Sequence, residues 1–529
     1  MERIDYDNGE TVLRLPSLKH HSKCPTPGSP CATCNKVTDV EKKISKTIYQ
    51  LNKLALVYQS LKSELNHQHG AINKKLPVEI IAKIFVFATD ADIQVISHTE
   101  DRRFIMWTLT LGAICTYWRQ IAWSTPQLWT TILISLDRRQ TTTDFKEAIR
   151  WIRRSGNLQV TTYVYTKDTN LEQKASFETR KGPKLKFPTC LDILGVVAKF
   201  SLRLKDLRVD IPMSLAIQMF ERAGKMPQLN TLQLGLTNYD DPGNDEGLKI
   251  FKKSIPSPRH IVLLNKMPLK YCNIDWRRVS HVDGKELTRP QCKELFRLSG
   301  PALKSFSVDS VTKLPRPLSS STLPETRIES MSLHFFGYKH TFNFVTFRNL
   351  RHLKVNTLGD PIRGVYALTV LLNQIKGTVE SVDLPITDLP LTLIRDIFNE
   401  GSSITHLRIT PTRYGNCKLD NATTKEFLTH LAETSTSPTS GIVTEGLTKW
   451  KFLLPSLKSL EYDWSWSQRF PWEIALSIFG PPRSFDNPNF RPLRSLKVMN
   501  RTPSVVGIPR EVLIRIQKLN KDGVNIQYR

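Results

Sequence analysis

The chain has 529 residues and a formal net charge of +26, and this length exceeds what one hydrophobic core usually organises, so we expect more than one domain. Its 8 cysteines are mostly isolated, a usage that argues against a disulfide framework and for a reducing compartment. No apolar run resembles a secretory signal or a membrane span. These features exclude the secreted and membrane-spanning classes, and we expect a protein of the cytoplasm, the nucleus or both.

The first part of the chain divides into two stretches. Residues 1–37 are rich in proline, serine and charge, a composition that predicts disorder. Residues 38–69 carry apolar side chains about 3.5 residues apart, which predicts an amphipathic helix. This helix either packs against a later domain or pairs as a short coiled coil, and the sequence leaves both open. Its apolar residues are Ile44, Ile48, Leu51, Leu54, Ala55, Tyr58, Leu61 and Leu65.

The one cysteine cluster lies in the same region. Cys24, Cys31 and Cys34 follow His20 and His21, and with a nearby histidine the three cysteines would complete four zinc ligands on paper. The spacing is loose, however, and neither a second C-x-x-C nor an H-x-x-x-H pair completes a zinc pattern. We interpret these residues as free thiols and predict no metal.

A helix is predicted from the residues that follow Leu76. Pro77 suits the first turn, where its missing N–H costs nothing, and Glu79 complements the helix dipole there. The apolar residues form one broad stripe, with Lys83 outside it. The stripe comprises Ile80, Ile81, Ile84, Phe85 and Ala88.

A second helical pattern follows a polar connection, residues 90–107, which we interpret as a surface insertion. Its apolar residues share one face of a single predicted helix. The helix should end before Pro126, because the residue preceding a proline is driven out of the helical region. A turn carrying Leu128 and Trp129 would then close a compact three-helix unit. The residues on the shared face are Leu111, Ile114, Cys115, Trp118, Ile121 and Ala122.

Residues 76–136 resemble the F-box family, in the form common in mushroom-type fungi. The matching segments are Leu76-Pro77-Val78-Glu79-Ile80, Cys115-Thr116-Tyr117-Trp118-Arg119 and Ser124-Thr125-Pro126-Gln127-Leu128-Trp129. The resemblance implies a small helical module that binds a Skp-type adaptor and, through it, a cullin. Several matching residues could instead be the module's own core; we favour the core for Trp118 and Ile121, and the partner for Leu76, Pro77 and Phe85. The contacts that the resemblance implies are Leu76, Pro77, Ile80, Ile81, Ile84, Phe85, Ile114, Cys115, Trp118 and Trp129.

The pattern L-x-x-L-x-L recurs through the rest of the chain. Between residues 303 and 404 successive copies start 22 to 29 residues apart, an interval typical of leucine-rich repeats, in which each repeat pairs a strand with a helix. We therefore predict an α/β solenoid, an irregular leucine-rich-repeat horseshoe, over residues 144–529. An ordinary α/β domain with leucine-rich strands is the alternative. The copies start at Leu204, Leu229, Leu303, Ile328, Leu350, Val379, Ile404, Leu457 and Leu493.

Other segments complete the predicted solenoid. Residues 144–154 should form an amphipathic helix and residues 158–165 the first strand, and a weaker copy of the repeat lies at residues 258–263. Helices are predicted between the strands, and residues 167–188 and 433–445 are predicted loops. The predicted helices are 214–223, 365–376, 391–399 and 423–434.

Nothing in the sequence indicates catalysis. The glycines form no phosphate-binding loop, no G-x-S-x-G elbow occurs, and the histidines lack zincin spacing. We therefore predict a non-enzymatic adaptor, without a cofactor, that recruits a client protein to a Skp-cullin-F-box ubiquitin ligase. The alternatives are a basic solenoid that binds nucleic acid and an F-box scaffold without a degradation client. Candidate client contacts at outward-facing strand positions are Arg208, Gln233, Lys354, Asp383 and Arg408.

Overall fold

The computed structural model divides the chain into two compact units. The helical unit comprises residues 1–131 and 150–158, and the sheet unit comprises residues 132–149 and 159–529. None of the described helices is long and apolar enough to span a membrane. The structure describes residues 31–69, 75–93, 103–136, 141–166, 190–236, 249–265, 268–312, 326–336, 342, 345–358, 361–375, 377–385, 398, 403–410, 417–433, 453–464, 470–479, 491–500 and 508–528.

The helical unit begins with the helix predicted from the heptad-like spacing. Helix α1 spans Ala32–His69, so it starts before residue 38, and residues 32–37 are helical rather than disordered. The physical reason is that neither proline nor glycine occurs between Pro30 and Gly70, so nothing interrupts the helix. The predicted disorder of residues 1–30 lies outside the described residues.

The second predicted helix of the F-box-like segment is divided in two. Helices α2 (Val78–Ile93), α3 (Arg103–Ile114) and α4 (Thr116–Ser124) precede a 3₁₀ turn at Pro126–Trp129. The predicted start after Pro77 and the stop before Pro126 are confirmed. The single helix through residue 115 is wrong, and residues 90–93 and 103–107 of the predicted surface insertion are helical.

Cys115 separates α3 from α4. Its backbone is extended, with φ −158° and ψ 168°, and its Sγ accepts a hydrogen bond from the Trp118 N–H of the next helix. Cys115 is therefore the N-cap of α4, a position at which the side chain satisfies one of the helix's free N–H groups. The chain changes direction at this cap, although the apolar spacing of the sequence continues through it.

The described strands form one fourteen-stranded sheet in sequential order. Strand pairing from β2 to β14 is parallel throughout. The strands are β1 Thr131–Ser135, β2 Val160–Tyr165, β3 Leu204–Asp210, β4 Thr231–Leu234, β5 His260–Leu263, β6 His281–Thr288, β7 Ser305–Thr312, β8 Ser330–Phe336, β9 His352–Leu358, β10 Ser381–Pro385, β11 His406–Thr410, β12 Ser459–Trp464, β13 Ser495–Asn500 and β14 Asn525–Tyr528.

All nine full copies of the repeat pattern, and the weaker copy, coincide with strands. The predicted first strand is β2, but the sheet starts one strand earlier, at β1, inside the segment assigned to the F-box resemblance. Strands β6 and β14 were not predicted. The sheet with its helices is an α/β, solenoid-like arrangement.

Helices connect many of the strands, as expected for parallel pairing. Predicted helices 144–154, 214–223, 365–376 and 423–434 are confirmed. Predicted helix 391–399 and loops 167–188 and 433–445 lie outside the described residues except for residues 398 and 433, which are both helical. The helices are α5 Thr141–Arg154, α6 Cys190–Lys199, α7 Met213–Arg222, α8 Arg289–Ser299, α9 Pro361–Gln374, α10 Cys417–Glu433, α11 Trp472–Ser477 and α12 Arg510–Lys521.

The apolar positions of the repeat form continuous buried columns across the sheet. The strand register aligns the second apolar position of every repeat, and each of these side chains is buried. Full burial of one such side chain contributes about 1.5–3 kcal/mol, so each added strand brings its own share of the core. The aligned residues are Leu207, Leu232, Ile261, Val282, Phe306, Met331, Leu353, Val382, Leu407, Leu460, Leu496 and Ile526.

Candidate partner-binding sites

Helix α2 has two apolar faces rather than one broad stripe. Ile81 and Phe85 point into the core and are buried. Ile80, Ile84 and Phe87, at spacings i, i+4 and i+7, lie on another face and are 40%, 47% and 79% exposed. Because i and i+4 residues share one side of a helix, these three form an exposed apolar stripe, here called the α2 stripe.

The buried face of α2 is fixed by aromatic packing. The ring of Phe85 lies 4.9 Å from the ring of Trp118 on α4, and Trp129 donates from Nε1 to the Ala122 carbonyl at 2.8 Å. Four of the ten predicted adaptor contacts, Ile81, Phe85, Cys115 and Trp129, are buried in this core. The interpretation of Phe85 as a partner contact is therefore corrected, because its ring offers no surface.

The other predicted adaptor contacts keep accessible surface. Leu76 and Trp118 are half-buried, whereas Pro77, Ile80, Ile84 and Ile114 are exposed. Two further exposed residues, Phe87 on α2 and Trp107 on α3, were not among the predicted contacts. The i+7 spacing of Phe87 from Ile80 could have indicated Phe87. Trp107 is the last residue of the predicted insertion, so it was not considered part of a helix. Exposed aromatic and aliphatic side chains on a helical surface indicate a binding site.

A cation between two indoles anchors the end of the helical unit. The guanidinium of Arg154 lies 4.5 Å from the ring centre of Trp123 and 4.4 Å from that of Trp129. Trp129 also packs edge-on against Trp151 at 4.9 Å. Burial, and secondarily the charge of Arg150, lower the pKa of Arg154. The cluster holds the Leu-Trp turn in place and leaves the α2 stripe uninvolved.

The five predicted client contacts fall in a single column of the sheet unit. The register places Arg208 beside Gln233, and places Lys354, Asp383 and Arg408 on three successive strands. These side chains alternate along their strands with the buried columns and are half-buried or exposed. The five residues therefore form two separate groups of neighbours, a pair on β3 and β4 and a trio on β9 to β11.

From β9 to β13 this column alternates in charge, and we call residues Lys354, Asp383, Arg408, Glu461 and Lys497 the charged column. Lys354 Nζ lies 3.9 Å from Asp383 Oδ2, and Glu461 Oε1 lies 3.9 Å from Arg408 Nε and 3.0 Å from Lys497 Nζ. Glu461 and Lys497 were not among the predicted contacts, although both occupy the same position of the repeat pattern as the predicted residues.

Burial distinguishes the carboxylates of this surface. Asp383 has a side chain only 15% exposed, and burial raises its pKa, although the charges of Arg408 and Lys354 act in the opposite direction. Asp463, next to the charged column, lies 3.7 Å from Arg408 Nη2 through its Oδ2 and is also buried. The charges of this surface therefore largely compensate one another, leaving lysines at its two edges.

A second outward column is made of hydroxyl and imidazole side chains. In its first half His260 Nε2 lies 2.7 Å from Asp283 Oδ2, and the rings of His260 and His281 lie 6.1 Å apart. This row is polar and lies beside the charged column. Its members are Thr231, His260, His281, Ser305, Ser330, His352, Ser381, His406, Ser459 and Ser495.

Among the described residues, no group of three or more His, Cys, Asp or Glu side chains could hold a metal ion. Cys31 and Cys34 lie one helical turn apart, with their sulfurs 3.5 Å from each other, whereas Cys24, His20 and His21 lie outside the described part of the chain. Burial raises the pKa of Cys272 and of Cys292 to about 12, so neither thiol is a nucleophile at neutral pH.

No protein-family model matches this chain, and no curated protein matches it either. A function must therefore be inferred from the surfaces described above and from the F-box-like residue pattern.

Proposed function

We propose that this chain is a substrate-recruiting adaptor of a Skp-cullin-F-box ubiquitin ligase, and that its F-box-like helices bind a Skp-type adaptor through the α2 stripe. The observation that carries the proposal is the exposure of Ile80, Ile84 and Phe87 beside a fully packed core. Each such side chain contributes roughly 1.5–3 kcal/mol when a partner buries it completely. A helical unit of this size cannot bury these residues itself, so a protein partner is the natural cover.

The residues of the F-box-like pattern support this role by positioning the stripe. Pro77 precedes the first turn of α2, Cys115 caps α4, the half-buried Trp118 packs against Phe85, and Trp129 is buried in the core. The buried residues of the pattern thus hold the three helices together. Its exposed residues are the proposed adaptor contacts, namely Pro77, Ile80, Ile84 and Ile114.

The sheet unit would then bind the client, as a leucine-rich-repeat-like domain. The charged column and the hydroxyl and imidazole row offer an extended polar surface, with Lys354 and Lys497 at the edges of the charged part. The chain contributes no catalytic residue in this proposal. It raises the effective concentration of client lysines near the ligase, and proximity alone is a large kinetic effect.

A pull-down with a purified Skp-type adaptor tests the proposal. The full chain should retain the adaptor at both low and high salt, because apolar contacts resist screening. The variant Ile80→Glu/Ile84→Glu should lose it. Ile514→Glu is the matched control, since Ile514 is exposed on α12, and it should bind normally. Equal binding by all three proteins, or no binding by the folded intact chain, would refute the adaptor role.

The net charge of +26 favours nucleic acid as the second candidate partner. Binding to a phosphate backbone releases counterions, so its affinity should fall steeply with salt. A titration of the same preparations with single- and double-stranded nucleic acid over a salt series separates the two functions. Strong nucleic-acid binding that is unaffected by Ile80→Glu/Ile84→Glu would favour nucleic acid as the partner. The remaining alternative is a scaffold without a degradation client. It would be favoured if the client protein is not degraded in cells that contain an intact ligase.

A further inference from the structure

Helix α1 carries a regular heptad seam whose apolar side chains are exposed. Positions separated alternately by three and four residues run from Val37 to Leu65, and every apolar member is exposed. Only Thr47 interrupts the apolar series. In heptad notation the a positions are Val37, Ile44, Leu51, Tyr58 and Leu65, and the d positions are Val40, Thr47, Leu54 and Leu61.

A seam of this kind specifies a helical partner. Apolar a and d residues repeated over several heptads pack as knobs into holes of a second helix. A long helix gains most of its stability in water from such packing rather than from intrinsic propensity. The partner must therefore present a helix with a matching seam, and another copy of α1 offers one.

We propose that α1 pairs with α1 of a second copy of this chain as an antiparallel coiled coil. Side-chain size supports the antiparallel direction. The seam is small or β-branched in its first half and larger in its second half, so antiparallel pairing sets a small residue opposite a large one in most layers. A parallel pair would instead place Thr47 against Thr47 and Tyr58 against Tyr58. The antiparallel layers are Val40 with Leu65, Ile44 with Leu61, Thr47 with Tyr58 and Leu51 with Leu54.

Charge complementarity points the same way. Glu41 and Lys62 are e positions, and Lys43 and Glu64 are g positions. In an antiparallel pair e residues face e residues and g residues face g residues. Glu41 of one copy therefore meets Lys62 of the other, Lys43 meets Glu64, and the twofold axis repeats both contacts. A parallel pair matches Lys36 with Glu41 and gains fewer opposite charges.

Sedimentation equilibrium of the full chain tests the pairing. The intact chain should have twice the mass of one copy, and Leu51→Lys/Leu54→Lys should halve that mass, because it places charges at the centre of the seam. Leu56→Lys is the matched control, since Leu56 is exposed on the opposite side of α1, and it should remain dimeric. A monomeric intact chain, or a dimeric Leu51→Lys/Leu54→Lys variant, would overturn the proposal.

The direction of pairing has its own test. Glu41→Lys should weaken the dimer, because it places a lysine opposite Lys62 of the other copy at each end of the coiled coil. Adding Lys62→Glu should restore the dimer in the antiparallel arrangement. Restoration by Lys36→Glu instead would show a parallel pair and overturn the proposed direction. Because α1 lies outside the F-box-like pattern, failure of this dimer leaves the adaptor proposal standing, and loss of adaptor binding leaves the dimer standing.

Discussion

Trp123 of α4 packs so closely on Gly112 of α3 that no side chain fits at residue 112. A Cβ atom built there would overlap the six-membered ring of Trp123. Across the same contact Arg119 donates from Nε to the Gly112 carbonyl at 2.7 Å. The break at Cys115 thus folds α4 back onto α3, and Gly112 makes the close approach of the two helices possible.

Gly112→Ala should therefore destabilise the helical unit. Overpacking a well-packed contact costs about 1–3 kcal/mol, which outweighs the roughly 1 kcal/mol that alanine gains over glycine inside a helix. Hydrogen exchange measured by mass spectrometry should show faster exchange in peptides from α3 and α4, with the sheet unit unchanged.

Gly195→Ala is the matched control for that substitution. Gly195 also lies inside a helix, α6, but a Cβ there would be 3.7 Å from Arg222 Nη1, an ordinary contact. This variant should be neutral or more stable. Slower or unchanged exchange in α3 and α4 of Gly112→Ala would show that Trp123 moves aside freely, contrary to the prediction.

The two ends of the F-box-like segment could be predicted because prolines mark them, at Pro77 and Pro126. The break at Cys115 could not, because apolar residues continue in helical phase through it, from Leu111 to Trp118. Cysteine is also an uncommon helix cap. The contact between Gly112 and Trp123, which stabilises the arrangement after the break, is a tertiary contact, and a single sequence does not indicate it.

The strands were predictable wherever all three apolar positions of the repeat are filled. Strand β6 has Gly284 at the third position, and Gly523 occupies the first position before β14, so the pattern fails at both. For β1 the pattern is Trp129-x-x-Ile132-x-Ile134, but Trp129 also belongs to the F-box-like pattern, which accounts for it as a turn residue. The register, once known, adds Glu461 and Lys497 to the charged column without further information.

Arg154 should stabilise the helical unit through its charge as well as its length. Its guanidinium lies over both Trp123 and Trp129, and such contacts contribute about 0.5–2 kcal/mol. Arg154→Met keeps the apolar stem but removes the cation, so the helical unit should melt at a lower temperature. Arg153→Met, at an exposed neighbouring position, is the control. Equal melting of the two variants would mean that only the stem of Arg154 contributes.

Arg491 should be among the most sensitive positions of the sheet unit. Its buried guanidinium donates to three backbone carbonyls, those of Leu431 at 2.9 Å, Leu453 at 2.6 Å and Leu454 at 3.1 Å. Leu454 has a φ of +51°, an uncommon conformation for a leucine, so the bonds also hold a strained turn. Burial lowers the pKa of Arg491 to about 10, which still leaves it charged at neutral pH.

Arg491→Met removes the side-chain donor from all three carbonyls, although the Leu454 carbonyl still accepts from the Leu457 N–H. A hydrogen bond from a charged donor contributes about 1.5–3 kcal/mol, so we expect a loss of about 3 kcal/mol in the free energy of unfolding. Denaturant unfolding, monitored by hydrogen exchange in α10 and β12, measures this change in the free energy of unfolding. Arg494→Met, at an exposed position, should have little effect, and a similar loss in both variants would contradict this account.

Asp383 should make the sheet unit less stable as the pH rises from acid to neutral. Burial raises the pKa of Asp383 in the folded chain, so between its ordinary and its raised pKa the folded state binds more protons than the unfolded state. The free energy of unfolding therefore falls as the pH rises through that window. Asp383→Asn cannot ionise, so its stability relative to the natural chain should be smallest in acid and should grow toward neutral pH.

Glu294→Gln gives the matched control for this pH dependence, with the opposite sign. The hydrogen bond from Arg297 lowers the pKa of Glu294, so its stabilisation is present at neutral pH and is lost as the pH falls through the folded pKa. Glu294→Gln should be less stable than the natural chain at neutral pH and should converge with it in acid. Melting temperatures of the three proteins over a pH series measure both effects. An advantage of Asp383→Asn that grows in acid would show that its ion pairs outweigh its burial.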